Sequence, residues 1–587
     1  VSLNALIAAI PETPRIQSAY EQDIVEETFR EHSQLALMRY NFEAQWEETA
    51  SLIMPSMRNT FRYLSFLWPG MKKTEMQVDT TGMLALSRFG AIVESLCTPA
   101  NMIWHTLSSL DPSLNKDRAC RLWFLEATRT MFRYRYQAAS GFIGQIPASW
   151  VNLGAFGNHY MFVDRLSGPH GPEKGLRYKS LPVGEVYLRE NHQGVPIGFI
   201  RWFKLTAVQA LEMFGPEAFP PVLKPALMQN SQILYDFFHR VCPRTDYDPE
   251  RLDHRAMPWA SYYVCVASRT LVREGGYRTF PMAVGRYLQF PGETYGRGPA
   301  QLALPALKTL NAEKSDFLKI GHRTADPVLF TGDDGLADAV NLTPGAVNPG
   351  GVNSDGKLIV QPLPIGNIQI TKEMMEEERN IINDLFLVSL FQMLEERSNM
   401  SATEVIERVN EKGILLAPTL GRQAEFLGPL IDRELDELMY QRLLPPMPPK
   451  LREAIAAGQG EYHPIYTSPL AKAARAQEAA GFMRTLETMQ AAAQATGDAS
   501  LLDFIAFDRA GPGLADIQSV PEDWLASQAE IAAKQRGRLK AQQTEQQIKA
   551  APAQAAMMKA QAVAAKAAPQ GGGGIPAPVL GQMMGLR

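Results

Sequence analysis

The stretch from Ile370 to Leu416, ITKEMMEEERNIINDLFLVSLFQMLEERSNMSATEVIERVNEKGILL, constrains the fold more than any other part of the chain. Thr371 is placed to N-cap a helix, and Glu373, Glu376, Glu377 and Glu378 put negative charge in its opening turns, where the macrodipole favours it. From Ile381 to Leu394 there is almost no polar face, so a helix continuing through this run needs enclosure on nearly all sides. After a polar break at Glu396 to Met400, Ser401 and Glu404 supply the Ser-x-x-Glu of a capping box and open a second helix that runs toward Leu443.

Between Thr371 and Leu394, five carboxylates (Glu373, Glu376, Glu377, Glu378 and Asp384) stand against Lys372 and Arg379, a net charge of -3. Copies of the chain side by side in a ring would enclose the apolar half and repeat the acidic half as a band. Such a band disfavours phosphate contacts, so a nucleic acid inside it slides instead of sticking. The loop Arg397-Ser-Asn-Met400, at the junction of the two helices, is where a mobile contact with a passing duplex fits. The plainer alternative is a helical hairpin with a solvated acidic end.

A chain of 587 residues exceeds one core, and roughly one domain per 150 residues suggests two to four units. The net charge of -4 carries no global basic signature of a nucleic-acid binder. Cys97, Cys120, Cys242 and Cys265 include no CxxC, so buried free thiols in a reducing compartment are expected, and neither a zinc ribbon nor a redox dithiol. No apolar run reaches the roughly 20 residues of a membrane span. The opening VSLNALIAAIPETPR lacks a positive n-region, so no signal peptide is expected.

In chain order, residues 16–60 read as a helix ended by Pro55, with Ile24, Val25, Thr28, Phe29, Leu35, Met38, Phe42 and Trp46 near helical spacing. Asp79 to Thr98 is a second helix and about Lys116 to Ala139 a third. The third interleaves Arg121, Arg129, Arg133 and Arg135 with Trp123, Phe132, Tyr134 and Tyr136. That pattern fits a nucleic-acid face, or, more simply, a packed or interface helix with snorkelling arginines. From Gly154 to Lys204 the period becomes two, an antiparallel sheet. A short helix over Leu205 to Phe214 and strands over Asp236 to Val272 follow.

A helix from about Pro299 runs toward Ile320, with Pro305 either tolerated near its start or kinking it. The Gly/Pro/Asn-rich insert after it holds short strands at Pro327 to Thr331 and Lys357 to Gln361. The cluster Pro445-Pro-Met-Pro-Pro449 marks a boundary, and a helical region follows to about Trp524. Between 530 and 568, seven basic residues oppose Glu530 and Glu545, a net +5 in an Ala/Gln-rich tail suited to a solvated helix without its own core.

The chain offers little chemistry. Gly351 to Lys357 meets GxxxxGK, but Leu358 replaces the Ser or Thr that holds magnesium, and a strand-like segment follows where a phosphate loop needs a helix. There is no HExxH and no Gly-x-Ser-x-Gly, and Asp333-Asp334 lies in a Gly-flanked turn, where Asp serves backbone hydrogen bonds. No enzyme, metal site or cofactor is expected.

Gly276-Tyr-Arg-Thr-Phe-Pro281 with Arg286-Tyr287, Pro291-Gly-Glu-Thr-Tyr-Gly-Arg-Gly-Pro299, Ala303-Leu-Pro-Ala-Leu-Lys308 with Leu310-Asn311, Met400-Ser-Ala-Thr-Glu-Val405 and Leu427-Gly-Pro429 resemble the head-to-tail connecting, or portal, proteins of podovirus-like (T7-like) tailed bacteriophages. Weaker similarity extends from about residue 20 to 440. The resemblance implies an α+β, predominantly helical portal fold with wing, stem, clip and crown, forming a homododecameric ring at one capsid vertex. By position, 1–298 resembles the wing, 299–325 and 370–394 the two stem helices, 326–369 the clip and 395–402 the tunnel loop. Residues 403–463 resemble the long helix and wing return, 464–526 the crown, and 527–587 is the basic tail.

The implied roles are an acidic channel lining at Glu373, Glu376 and Glu377, DNA contact at Arg397, Ser398, Asn399 and Met400, and a clip interface at Asp333, Asp334 and Lys357. The implied partners are further copies of the chain, double-stranded DNA, the terminase large subunit, a tail adaptor, the major capsid protein, and scaffolding or internal core proteins. The implied location is the virion, after assembly in the bacterial host cytoplasm. The alternative from another class is a DNA-processing or nucleotide-using enzyme with a degenerate phosphate loop at Gly351 to Lys357.

Overall fold

The computed structural model describes residues 17–57, 77–168, 171–229, 231–326, 329–331, 355–358, 360–362, 368–389, 421–458, 462–467 and 481–492. It also describes single positions at 10, 61, 341, 347 and 352, and short helical pieces between 510 and 562. The chain divides into two compact units, Val1–Ser519 and Val520–Arg587. In the second, the described positions are helical and exposed, as a tail with few large apolar side chains requires. All elements below belong to the first.

Helix α1 (Ala19–Ile53) opens with a capping box in which the Ser18 hydroxyl accepts from the Glu21 amide at 3.2 Å and the Glu21 carboxylate accepts from the Ser18 amide at 2.8 Å. Ile24, Val25, Trp46, Ala50 and Ile53 are buried, but Met38, expected in the same apolar stripe, is 69% exposed. Arg39 takes the inward position. Its guanidinium bonds Glu43, donates to the carbonyls of Val183, Gly184 and Val186, and lies 3.5 Å over the Tyr187 ring. A cation wins over a methionine here because the facing segment offers three carbonyls that need donors.

Helix α2 (Thr81–Cys97) and strand β1 (His105–Ser109) lead to α3 (Arg118–Arg135). The two residue types of α3 separate by face: Trp123, Phe124 and Met131 are buried while Arg118, Arg129 and Arg133 are exposed. Arg135 does not snorkel. It is fully buried and paired with Glu434, its guanidinium 4.5 Å from the Trp104 ring and 4.6 Å from that of Phe132.

Helix α4 (Phe142–Phe156) takes up the first residues assigned to the sheet, Gly154 to Phe156. Gly157, at φ 70°, ends it, and a Cβ there would sit 2.3 Å from the Gly298 nitrogen, so two backbones cross where no side chain fits. Strands β2 (Asn158–Gly168), β3 (Gly171–Leu181), β4 (Val186–Glu190) and β5 (Pro196–Thr206) precede helix α5 (Ala207–Ala218). Strands β6 (Leu234–Pro243), β7 (Trp259–Cys265), β8 (Thr270–Tyr277) and β9 (Met282–Arg286) follow it.

These strands form two antiparallel sheets, not one: β3-β2-β9 and β4-β5-β6-β7-β8. The division falls between β3 and β4, which the alternating pattern alone does not mark. Tyr160 of β2 faces Val284 of β9, and Trp202 of β5 faces Phe238 of β6. The main core gathers Trp46, Trp104 and Trp150 with α4 and the first sheet; a smaller one lies under α5, around Phe203, Phe214 and Phe237.

A short turn of helix (Pro299–Leu302) precedes α6 (Leu304–Ala325), and strands β10 (Leu329–Thr331) and β11 (Val360–Pro362) pair antiparallel inside the insert. Helices α7 (Ile368–Leu385), α8 (Ala424–Tyr440) and α9 (Pro449–Ala456) and strand β12 (Tyr462–Tyr466) complete the described chain of this unit to residue 467. The proline cluster does not separate two folding units. The Trp123 indole donates to the Pro445 carbonyl at 3.0 Å, Leu451 is buried in the main core, and β12 returns to pair with β1, His105 opposite Tyr466.

Candidate functional site: an acidic helix pair

The site built from the sequence centres on α6 and α7, which run antiparallel and lie against each other. The helix expected over Pro299 to Ala325 is interrupted at Ala303, and Pro305 sits in the first turn of α6, where its missing N–H costs nothing. Ala306, Leu307 and Leu310 anchor α6 in the core, whereas residues 321–326 are all exposed. The pair is thus rooted at one end and solvated at the other.

Helix α7 starts at Ile368, before Thr371, so Thr371 lies in its opening turns and is not its cap. It also breaks after Leu385: Phe386 and Leu387 form a turn, helical backbone resumes at Val388 and Ser389, and residues 390–394 lie outside the described residues. The Phe386 amide closes on the Ile382 carbonyl at 3.1 Å, the Leu387 amide on Asp384 at 3.0 Å, and Leu387 adopts a left-handed φ of 62°. That turn puts Phe386 and Val388 into the main core, with Phe386 edge-on to Phe89 at 6.2 Å.

At 100° per residue, Met375, Ile382 and Phe386 share one side of α7 and are buried. Glu373, Glu376 and Glu377 fall on the far side and are exposed, together with Asn380 and Asp384. The predicted acidic residues therefore form one outward face. Ile381, expected to be enclosed, is 41% exposed.

The root of the pair carries polar clamps that the sequence pattern did not reveal. The Asn311 side-chain carbonyl accepts from the Val78 amide at 2.8 Å. Arg379 donates to Asp79 at 2.9 Å. Burial works against the Asp79 carboxylate, but the Thr81 hydroxyl and amide and the Arg379 guanidinium together hold its pKa below the ordinary value. Glu313 of α6 is shifted the other way, by burial and by Glu378 and Glu377 across the pair. A single Arg in an acidic run is the one sequence signal that points to such a clamp.

Arg397, Ser398, Asn399, Met400, Asp333 and Asp334 lie outside the described residues, as do Ser401 to Glu404. Lys357 is exposed. Around it Val352 bridges Leu358 and the chain enters β11, so no helix N-terminus follows Lys357 to receive a phosphate. Among the described residues no group of three or more His, Cys, Asp or Glu is placed to hold a metal, and no helix is long and apolar enough to cross a membrane. The four cysteines are free and buried.

The profile of the family described as bacteriophage head to tail connecting protein matches residues 26–525. A probable portal protein of Bordetella phage BPP-1 is 26% identical over 532 residues, covering 88% of this chain and 91% of that one. A portal protein of Salmonella phage epsilon15 is 25% identical over 441 residues, covering 73% and 77%. Among solved structures, a chain from the virion of a native gene transfer agent particle aligns with 64% of this chain and 86% of that one. Its 13% identity and TM-score of 0.32 are too slight to bear on assembly.

Proposed function

The chain belongs to the bacteriophage head to tail connecting protein family, and on that footing we propose that it is a phage portal protein. In this reading a homododecameric ring at one capsid vertex forms the channel through which double-stranded DNA is packaged and ejected. The observation that carries it is the family match over residues 26–525, which includes the rooted helix pair with its outward acidic face. The family and the two named relatives are structural, not enzymatic.

The assignments by region follow the family order. Residues 1–298 are the wing, 299–325 and 370–394 the two stem helices, 326–369 the clip, 395–402 the tunnel loop, 403–463 the long helix and wing return, and 464–526 the crown. Glu373, Glu376 and Glu377 line the bore, where their charge keeps phosphates from binding tightly. Arg397 to Met400 touch the passing duplex, and deleting them leaves assembly intact while impairing packaging or retention of DNA. Asp333, Asp334 and Lys357 belong to the surface that receives the terminase large subunit during packaging and then the tail adaptor. The wing and crown meet the major capsid protein and internal or scaffolding proteins, and the finished ring resides in the virion.

Native mass of the purified protein, with images of the particles, tests the reading. A ring of twelve 65.1 kDa chains, about 780 kDa with a central hole, supports it. A compact dimer that turns over nucleotide, with turnover lost in Lys357→Ala, replaces it with the enzyme.

A further inference from the structure

Ile10 belongs to the small core under α5. It is 3% exposed, shares that core with Phe203, Phe214, Leu227 and Phe237, and its carbonyl accepts from the Lys224 amine at 3.4 Å. The core lies on one face of the second sheet. Phe237 and Cys265 belong to it, their neighbours Phe238 and Val264 pack with Val25 of α1, and adjacent strand residues point to opposite faces.

The chain thus has Ile10 on one face of this sheet and the start of α1 on the other. Between them the Gln17 side-chain amide donates to the Leu271 carbonyl of β8 at 3.3 Å, and β8 is an edge strand of the sheet. The step from Ile10 to Gln17 reaches about 24 Å when extended, enough to pass round one strand.

Beside Ile10 the surface is apolar and open. In the short helix Lys224–Met228, Ala226 and Leu227 are buried, whereas Met228, one turn from Lys224 and on its face, is 67% exposed. Val222, just before that helix, is 50% exposed. In the sequence Leu3, Leu6, Ile7 and Ile10 stand at i, i+3, i+4 and i+7, the spacing of one helix face. Residues 1–9 lie outside the described residues.

We propose that residues 1–10 form an arm that clasps the second sheet. Ile10 closes the small core, the turn before it lays Leu6 and Ile7 over Met228, and the chain after it rounds the β8 edge to reach α1. The arm fits this surface on two counts. Ile10 fixes its end there, and the apolar face that Ile10 continues is the one the open flank needs. A strand edge and an apolar flank both invite association with other chains, and the clasp covers them within one chain.

Disulfide trapping in the full-length chain tests it. The four native cysteines are free and buried, so mild oxidation reports introduced pairs. L6C/M228C or I7C/M228C closes a bridge within one chain: the denatured band keeps the monomer mass, and digestion yields the two peptides joined. I7C/L37C gives none, since Leu37 is exposed on α1, which packs on the other face. Hydrogen exchange is the second measurement. Leu6→Asp with Ile7→Asp speeds amide exchange across 207–228 by about tenfold or more and leaves β2 and β9 unchanged. Covalent multimers in place of the internal bridge put the arm on another copy and overturn the clasp. Free thiols in both Met228 pairs, or exchange across 207–228 equal to that of the natural chain, overturn it as well.

Discussion

Arg379 of α7 and Asp79, which stands just before α2, are 300 positions apart in sequence and meet at 2.9 Å at the root of the helix pair. The carboxylate also accepts from the Thr81 amide at 2.8 Å, so one aspartate both begins a helix and holds another. The pair is mostly buried on the Asp79 side, 9% exposed, and 31% exposed on the Arg379 side.

Breaking this clamp by Asp79→Asn or Arg379→Ala costs about 1 kcal/mol, a charge-assisted hydrogen bond discounted for the solvent on the arginine. A double-mutant cycle by urea unfolding measures the coupling. The sign with pH follows from the carboxylate's lowered pKa. Its contribution is present in full above the unfolded carboxylate value and is lost as pH falls through the lower folded value. A cycle whose coupling is the same at pH 7 and pH 3 contradicts the assignment.

Arg135 and Glu434 form an ion pair with neither side chain exposed. A second donor on the same guanidinium reaches the His105 ring at 2.8 Å, while one Arg135 nitrogen has no hydrogen-bond partner. Removing either charge alone strands the other, at about 3–5 kcal/mol. Replacing both, as Arg135→Met with Glu434→Leu, recovers most of that loss, because the desolvation cost of both ions disappears. Thermal and urea midpoints of the three variants check it. A double variant as unstable as the singles shows that the pair does more than balance its own burial.

Much of this was legible in sequence, for reasons that differ by element. Pro55 acts locally, so the end of α1 follows from the residue itself, and the acidic character of α7 is written in its run of glutamates, whereas the helix expected from Pro299 is interrupted at Ala303. The burial of Arg39 and Arg135 is not written locally. Both sit in helices that read as ordinary amphipathic patterns, and what draws them inward is a distant set of carbonyls or a distant carboxylate. The break after Leu385 is a third case. Periodicity predicts an unbroken helix because it does not see the core that takes Phe386 and Val388. For the site, the run Glu373, Glu376 and Glu377 is plain in the sequence but the side it faces is not, and the Asp79 and Asn311 clamps are not either, since neither lies near α7 in sequence.

The outward carboxylates of α7 are exposed, so changing them has little effect on folding. Glu373→Lys with Glu376→Lys shifts unfolding by no more than about 0.5 kcal/mol. If these residues line the bore of a ring as proposed, the same change makes a repulsive lining attractive. DNA retention rises by on the order of tenfold or more at low salt and collapses as salt is added, each new phosphate contact adding about 0.9 to the slope of log affinity against log salt. Filter retention of linear duplex across a salt series measures both. Unchanged retention places these residues away from the bore.

Buried histidines make the first compact unit less stable in acid. His159 is fully buried, its ring centroid 4.0 Å from that of Phe426 in a tilted contact, with Nδ1 2.8 Å from the Ser149 hydroxyl and Nε2 3.1 Å from the Gln423 side-chain carbonyl. That arrangement suits the neutral ring, Nε2–H donating to Gln423 and Nδ1 accepting from Ser149. Burial drives its pKa down to about 3, against a weaker upward pull from Gln423. His32 falls to about 4, through burial and then Arg39, and His105 and His239 also lie well below 6.5 through burial and neighbouring arginines. Below pH 6.5 the unfolded chain binds protons that the folded one refuses, so stability falls as pH drops, and each such histidine adds up to about 1.4 kcal/mol per pH unit. His159→Gln removes one increment: between pH 6 and pH 4 its unfolding free energy falls less steeply than that of the natural chain by about that amount per unit, even if it is less stable at pH 7. Equal slopes mean that the His159 ring is protonated in the folded protein and that the neutral tautomer drawn from its two partners is wrong.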